Sequence, residues 1–310
     1  MTMIFYLFPR DTFIGIATYE TSVIPDLEVT DELPTNVSLL DFCPPLSLRL
    51  EIPSAVNVVQ ALGYPAIASL GDAILNPHQW TFQFPLFLNN QTKSFLSFAF
   101  SYLGLNFPVA IWAIVRSPDQ SEYTHFVSGI SLLTDINFQV PANANGTLSL
   151  TFSSPFTHVF QSDRPYLDIM RPYAINERGL TIRDLKIRSK IGRDYFEKEI
   201  TSLNINARRQ INWHWTAFDL SRHSASARRA PNMFSATPIL SRGSFTLGYP
   251  FNFSFLQAAS IQPLQEVDII VRDLFTLTLF GFKINSWGED FSANTVGFTV
   301  NFSFVDYSIS

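Results

Sequence analysis

Charged residues are scarce in this chain of 310 residues: Asp, Glu, Lys and Arg together make up 15% of it, against roughly 25% in an average soluble domain. Glycine is also sparse, with 13 residues, whereas phenylalanine is abundant, with 30. Intrinsic disorder requires low hydrophobicity and high charge, so this composition excludes a disordered chain. Because interface centres are poor in charge and rich in aromatic residues, the composition favours a folded protein that covers its surface with copies of itself. A single large core under a neutral polar surface is the alternative.

Cysteine is nearly absent, since Cys43 is the only one. A single cysteine excludes an intrachain disulfide framework and a cysteine-based zinc cluster. The apolar stretch Met1–Phe8 has no basic segment before it, and Arg10 ends it too early for a secretory signal. We therefore expect the protein to lie inside a cell or inside a particle.

Motifs of catalysis are missing as well. The chain has no Gly-x-Ser-x-Gly, no phosphate-binding Gly-rich loop and no His-Glu-x-x-His, and its five histidines are scattered. Asp219, Ser221 and His223 alternate, which separates strand neighbours by roughly 6–7 Å and predicts a solvated loop rather than a triad. Trp287 precedes the acidic sequence 288–290, which we interpret as a hairpin turn. The sequence therefore predicts no catalytic residue, no metal site and no cofactor, and a protein that is not an enzyme.

Period-two alternation of apolar and polar residues is the dominant pattern. In the segment Phe245–Phe255 the odd positions are apolar and the even positions are neutral, as in a strand with one buried face. The same alternation occurs in five further segments: 46–52, 80–88, 148–152, 275–279 and 296–304. These patterns predict an all-β protein with a dozen or more strands and little helix, arranged as an antiparallel β-sandwich or jelly roll or as a large barrel.

The alternation changes phase at two places. Apolar residues move from even to odd positions between Phe304 and Val305, and from odd to even positions between Leu279 and Phe282. Because a shift of one residue turns every side chain of a strand over, we predict a bulge at each place.

Residues 94–115 carry no charge, and about 20 apolar residues cross a bilayer. Serine, glycine and proline interrupt this run, so a membrane span is not expected. We instead predict two buried strands joined near Gly104–Asn106. The segment Arg193–Ile200 is the best candidate for a short helix.

Basic residues concentrate in one segment, residues 171–242, which holds 14 Lys and Arg against six Asp and Glu. The segment can neutralise the phosphates of a nucleic acid, dock on acidic faces of neighbouring copies, or form a solvated loop. These three alternatives stay open. The candidate contacts to neighbouring subunits or to nucleic acid are Arg183, Lys186, Arg188, Lys190, Arg193, Arg208, Arg209, Arg228 and Arg229.

The phenylalanine-rich strands Phe245–Phe255 and Val296–Ile309, together with the charge-free span 136–162, resemble those of viral capsid proteins of the jelly-roll type. The resemblance implies two packed sheets, with loops and edges contacting other subunits. It implies a β-sandwich over residues 1–165 and a second β region over 166–310, with residues 171–242 as an insertion. The chain then holds one jelly roll with a large insertion or two small ones. The implied location is the virion, with the host cytoplasm during assembly, and the implied partners are copies of the chain and other shell proteins.

A carbohydrate- or receptor-binding β-sandwich is the alternative function. Exposed aromatic side chains beside polar ones suit a sugar, and Trp213–Trp215 or Trp287 can supply them. The two functions predict different oligomers, because a shell protein assembles extensively whereas a spike-like module forms a small closed oligomer.

Overall fold

The structure is a computed structural model. It describes residues 3–4, 12–19, 37–39, 45–52, 57–59, 69–71, 77–116, 122–155, 157–162, 177–191, 194–214, 233–248, 264–292 and 295–310. One α-helix is described, α1 (Asn90–Leu105), together with a short 3₁₀ turn, Ile182–Asp184.

Strands make up most of the described chain. The first eleven are β1 (Met3–Ile4), β2 (Thr12–Tyr19), β3 (Val37–Leu39), β4 (Ser47–Ile52), β5 (Asn57–Val59), β6 (Ser69–Gly71), β7 (His78–Pro85), β8 (Val109–Arg116), β9 (Tyr123–Val140), β10 (Thr147–Ser154) and β11 (His158–Ser162). The other nine are β12 (Leu185–Ile191), β13 (Asp194–Arg208), β14 (Ile211–His214), β15 (Met233–Ala236), β16 (Leu240–Gly248), β17 (Leu264–Val271), β18 (Phe275–Ser292), β19 (Thr295–Phe304) and β20 (Asp306–Ile309).

The strands form where the alternation predicts them. In β7 the side chains of Trp80, Phe82 and Phe84 are fully buried, and the residues between them are partly exposed. β10 has the same pattern, with Leu148 and Phe152 buried. Because β-strands place successive side chains on opposite faces, each strand presents one apolar face to the core.

Antiparallel pairing joins these strands. The order β1-β4-β7-β10-β9-β13 builds the N-terminal side, and the N-terminal part of β9 also pairs with β8 and β11. Strand β13 continues to β12 on one side and to β16 on the other. The path β12-β17-β18-β19-β16 returns to β13, so these six strands close into a barrel.

Large aromatic side chains of the barrel strands are packed in the hydrophobic core. Phe245, Phe282, Phe298 and Phe302 are buried, and they belong to one hydrophobic cluster that also contains Trp80 of the N-terminal strands. Burial of one such side chain contributes roughly 1.5–3 kcal/mol. The core is therefore continuous from the N-terminal sheet into the barrel.

The prediction of an all-β, antiparallel protein with little helix is confirmed. The arrangement differs from a simple two-sheet sandwich, because strands β12, β13 and β16–β19 form a closed barrel to which the other strands of the large sheet are added. Within the described residues no helix is long and apolar enough to cross a bilayer. The predicted domain boundary, between residues 165 and 166, lies outside the described residues.

The prediction of two buried strands within residues 94–115 is wrong for its first half, which is α1. The helix begins because the Asn89 side chain accepts a hydrogen bond from the Thr92 backbone N–H at 3.1 Å, as an N-cap does. It ends at Asn106, whose φ of 57° is left-handed. The buried residues Phe95, Leu96, Ala99, Phe100 and Leu103 recur at helical spacing. The second half is β8, as predicted.

The predicted short helix at Arg193–Ile200 is also wrong, because the described part of this segment lies in β13. Its two glutamates face basic residues across the ladder with β12: Glu199 pairs in register with Lys186, and the Glu197 carboxylate lies 3.1 Å from the Lys186 ammonium. Cross-strand pairing thus overrides the helix preference of Glu and Lys.

The predicted hairpin turn after Trp287 is likewise wrong, since β18 runs through it to Ser292. Trp287 pairs with Val300 of β19, and its ring centroid lies 5.1 Å from that of Phe298. Packing of the indole on this aromatic neighbour favours the strand over a turn.

Both predicted changes of buried face are confirmed, and they lie side by side. The bulges predicted with them are not observed, because β18 keeps one register with β19 and β20 across both places: Phe280 pairs with Asp306, and Lys283 pairs with Ser303. Gly281 of β18 has a φ of +60°, between the buried Leu279 and the buried Phe282. Val305 is 82% exposed and separates β19 from β20. The backbone N–H of Val305 donates to the carbonyl of Phe280 at 2.9 Å. Two strands therefore change their buried face at one shared irregularity.

Candidate functional site

A polar cleft lies on the face of β13 that points away from the core. The alternation that buries Leu203, Ile205 and Ala207 places Asn204, Asn206 and Arg208 on the opposite face. Three positions of one strand thus present two amides and one guanidinium together.

The register of the neighbouring strands completes this cleft. Asn206 stands opposite Asn137 of β9 on one side and opposite Arg242 of β16 on the other. Arg208 stands opposite Asp135. The resulting space, called the amide cleft here, has a volume of about 530 Å³ and is lined by Asp135, Asn137, Asn204, Asn206, Arg208, Arg242, Gly243, Ser244, Asn285, Asn301 and Phe302.

One amide of the cleft is held firmly. The Asn206 side-chain NH₂ donates to the Asp135 carboxylate at 2.9 Å and to the Ile136 carbonyl at 3.2 Å. Its oxygen, like those of Asn137 and Asn204, is buried and has no hydrogen-bond partner in the described part of the chain. A buried polar group without a partner costs about 1–3 kcal/mol. Three such acceptors therefore lie side by side in the amide cleft.

The charges at the cleft are also unbalanced. Arg208 and Arg242 are exposed, and neither forms an ion pair with any described residue. Burial raises the pKa of the Asp135 carboxyl above its usual value, while the hydrogen bond from Asn206 and the charges of Arg208 and Arg242 oppose this shift. The cleft therefore holds two guanidinium groups against one carboxyl group.

Most of the described basic residues predicted as contacts lie elsewhere. The Lys186 ammonium pairs with Glu197, and the Arg188 guanidinium donates to the Asp268 carboxylate at 2.7 Å and 3.0 Å. Arg183 is exposed on the 3₁₀ turn. Lys186 and Arg188 thus already have anionic partners within the chain.

Arg209 is buried rather than available at the surface. It is only 7% exposed, and its Nε donates to the Leu133 carbonyl at 3.1 Å. Lys190 lies in β12 opposite Tyr195. The remaining predicted contacts, Arg193, Arg228 and Arg229, lie outside the described residues. Of the predicted set, the structure therefore brings Arg208 alone, among the described residues, to the amide cleft.

The cleft residues that sequence reasoning missed are Asn137, Asn204, Asn206 and Arg242. Their signal in the sequence is a neutral polar face on an alternating strand, which is also the signal of an ordinary solvated face. Only the register of β9, β13 and β16 places these residues side by side.

Of the tryptophans considered for sugar binding, the structure describes Trp213 and Trp287, and neither lines the amide cleft. The Trp213 indole N–H donates to the Ser153 hydroxyl at 2.9 Å, and its ring packs 5.7 Å from that of Phe234. Trp287 is 46% exposed and pairs with Val300 on the face opposite the cleft. Trp215 lies outside the described residues.

Metal-ligating side chains do not cluster in the described part of the chain. No three or more His, Cys, Asp and Glu side chains there are placed to hold a metal ion. Asp219, Ser221 and His223 lie outside the described residues. No protein-family model matches the sequence, and no curated protein matches it.

Proposed function

We propose that the chain is a structural subunit of a virus particle, a capsid or capsid-associated shell protein that self-assembles through large interfaces of low charge. The observation that carries the proposal is a run of neutral, hydrogen-bonding side chains on the outer faces of β7, β10 and β19 and of the C-terminal part of β16. On β7 and β10 the hydroxyls of Thr81 and Thr151 lie 3.3 Å apart. On β16 and β19 the hydroxyls of Thr246 and Thr299 lie 3.2 Å apart.

A neutral face of this kind suits burial against another subunit. Desolvation of an ion costs several kcal/mol, whereas a hydroxyl or amide exchanges water for a partner at little net cost. Charged residues are depleted at interface centres for this reason. The low overall charge of the chain supports the same proposal.

The ion pairs within the chain favour self-association over nucleic-acid binding. Lys186 and Arg188 already face Glu197 and Asp268, so phosphates would have to displace these carboxylates. Binding of nucleic acid through the basic segment remains a separate outcome of the test below.

The proposed subunit is of the jelly-roll type. It contains either one jelly roll with a large insertion or two jelly rolls. Antiparallel pairing along the large sheet supports it. The closed barrel is an additional feature that a plain jelly roll does not require. The proposed location is the virion, with the host cytoplasm during assembly, and the proposed partners include other shell proteins.

The mass of the purified chain in a salt series tests this proposal, measured by light scattering after size exclusion. We expect large assemblies that persist at high salt, because neutral interfaces are hardly screened. Dissociation as salt rises would also support self-association, with the basic segment as the contact. A monomer at every salt concentration would contradict the proposal, and nuclease-sensitive assemblies would assign the basic segment to nucleic acid.

The amide cleft favours a second function, a receptor- or carbohydrate-binding module. Its unpartnered amide oxygens and guanidinium groups are the donors and acceptors that such a ligand requires. A small closed oligomer in the same scattering experiment, together with ligand binding at the cleft, would support this function.

A further inference from the structure

We propose that the amide cleft is a binding site for an acidic saccharide. The ligand carboxylate lies between Arg208 and Arg242, and its hydroxyls donate to the amide oxygens of Asn137 and Asn204. The proposal rests on the binding function proposed above for this cleft and names its ligand, and it can fail or hold independently of self-assembly.

The first step concerns the acceptors. The side-chain oxygens of Asn137 and Asn204 have no donor, and neither residue makes a side-chain hydrogen bond within the described ranges. Because no described residue forms a hydrogen bond with these two amides, rotation about χ2 can aim each buried oxygen into the cleft without breaking a described bond. A ligand that brings hydroxyl donors removes the cost of the unpaired acceptors.

The second step concerns charge. Arg208 and Arg242 are exposed, and each adds a positive charge near Asp135. Arginine binds carboxylates through paired N–H donors, with bonds about twice as strong as neutral ones. The Asp135 carboxylate, which accepts a hydrogen bond from Asn206, offsets one of these two positive charges. The free charge at the cleft is therefore cationic, which selects an anionic group.

The third step concerns size and the excluded ligands. A space of about 530 Å³ lies within the range of roughly 300–1,000 Å³ for small-molecule sites. Two guanidinium groups repel a metal cation. Base stacking requires an exposed aromatic ring, and the aromatic residue of the lining, Phe302, is 1% exposed. A compact anion with several hydroxyls fits these constraints better than a nucleic acid strand.

Ligand-observed NMR titration of the full chain with methyl glucuronide and with methyl glucoside tests the proposal. These two sugars differ only in a carboxylate against a hydroxymethyl group. We expect the glucuronide to bind about tenfold more tightly, since one charge-assisted hydrogen bond accounts for that ratio. The variant Arg242→Gln should reduce this preference, and the double variant Arg208→Gln/Arg242→Gln should abolish it. Asn204→Ala should weaken both sugars by a similar factor, because its amide contacts hydroxyls common to them.

Arg183→Gln is the matched control, since Arg183 is exposed on the 3₁₀ turn outside the cleft lining; it should leave both affinities unchanged. Thermal unfolding of each variant verifies that the fold is retained. Equal affinity for the two sugars, absence of binding at about 10 mM, or an equal loss in Arg183→Gln would overturn the proposal. Displacement of the glucuronide by an equal concentration of inorganic phosphate would do so too, because it would reveal an unselective anion site.

Discussion

Arg209 is buried in the structure, although the sequence predicts that it contacts neighbouring subunits or nucleic acid at the surface. Its Nε donates to the Leu133 carbonyl, a second guanidinium nitrogen donates to the side-chain oxygen of Asn106, and its backbone N–H donates to Thr134. Asn106 is the residue that ends α1. A cation at a helix C-terminus is stabilised by the helix dipole, so Arg209 ties the end of the helix to β9 and β13.

Replacing this side chain should destabilise the fold. Burial lowers the pKa of Arg209 to about 10, so the residue stays protonated at neutral pH and its charged hydrogen bonds persist. For Arg209→Met we expect the free energy of unfolding to fall by about 2–4 kcal/mol, because two acceptors lose a charged donor while volume is largely kept. Urea denaturation measures this change.

The exposed Arg183 offers the comparison for that variant. Arg183→Met should alter the free energy of unfolding by no more than about 0.5 kcal/mol. Equal effects at the two positions would show that Arg209 is an ordinary surface residue.

Among the elements, β18 is the strand whose two halves serve different neighbours. Leu277 and Leu279 pair with β17 and β20, whereas Ile284 and the residues after it pair with β19. The change of buried face at Gly281 permits this, because a glycine tolerates a positive φ. A Cβ at this position would lie 2.8 Å from a methyl group of Val305.

Gly281→Ala is therefore expected to lower the free energy of unfolding by about 1–2 kcal/mol from the left-handed conformation alone. The contact with Val305 adds to this loss. The midpoint of urea denaturation measures the change.

Gly288 of the same strand is the matched control, since a Cβ there would meet no described atom within 4 Å. Gly288→Ala should change stability by less than about 0.5 kcal/mol. If both alanines were equally tolerated, Gly281 would not be the point at which β18 changes its buried face.

For the molecule as a whole, β9 joins the two halves. Its 18 residues pair with β8, β10 and β11 of the N-terminal half and with β13 of the barrel. One hydrophobic cluster contains Phe152 on one side and Phe298 on the other. Pairing and core are thus shared across the chain.

A shared core predicts one cooperative unfolding transition. Native-state hydrogen exchange in increasing urea should give amides of β10 and β19 the same opening free energy. Two separate values would instead support the division at residue 165 that the sequence suggested.

Alternation predicted the described strands at 80–85, 147–152 and 298–304 and both phase changes, because burial of one strand face depends only on period two. The helix α1 was not predicted, because an uncharged run of aromatic and small residues is compatible with either a strand or a helix until its packing partner is known. Closure of the barrel was not predicted either, because it depends on the pairing of β13 with β16, two strands far apart in the sequence, which no local pattern encodes.

The amide cleft is the clearest case: Asn137, Asn206 and Arg242 each resemble an ordinary solvated residue along the chain. They become one site because three strands align in a single register, and register is set by the sum of many buried contacts rather than by the residues it brings together.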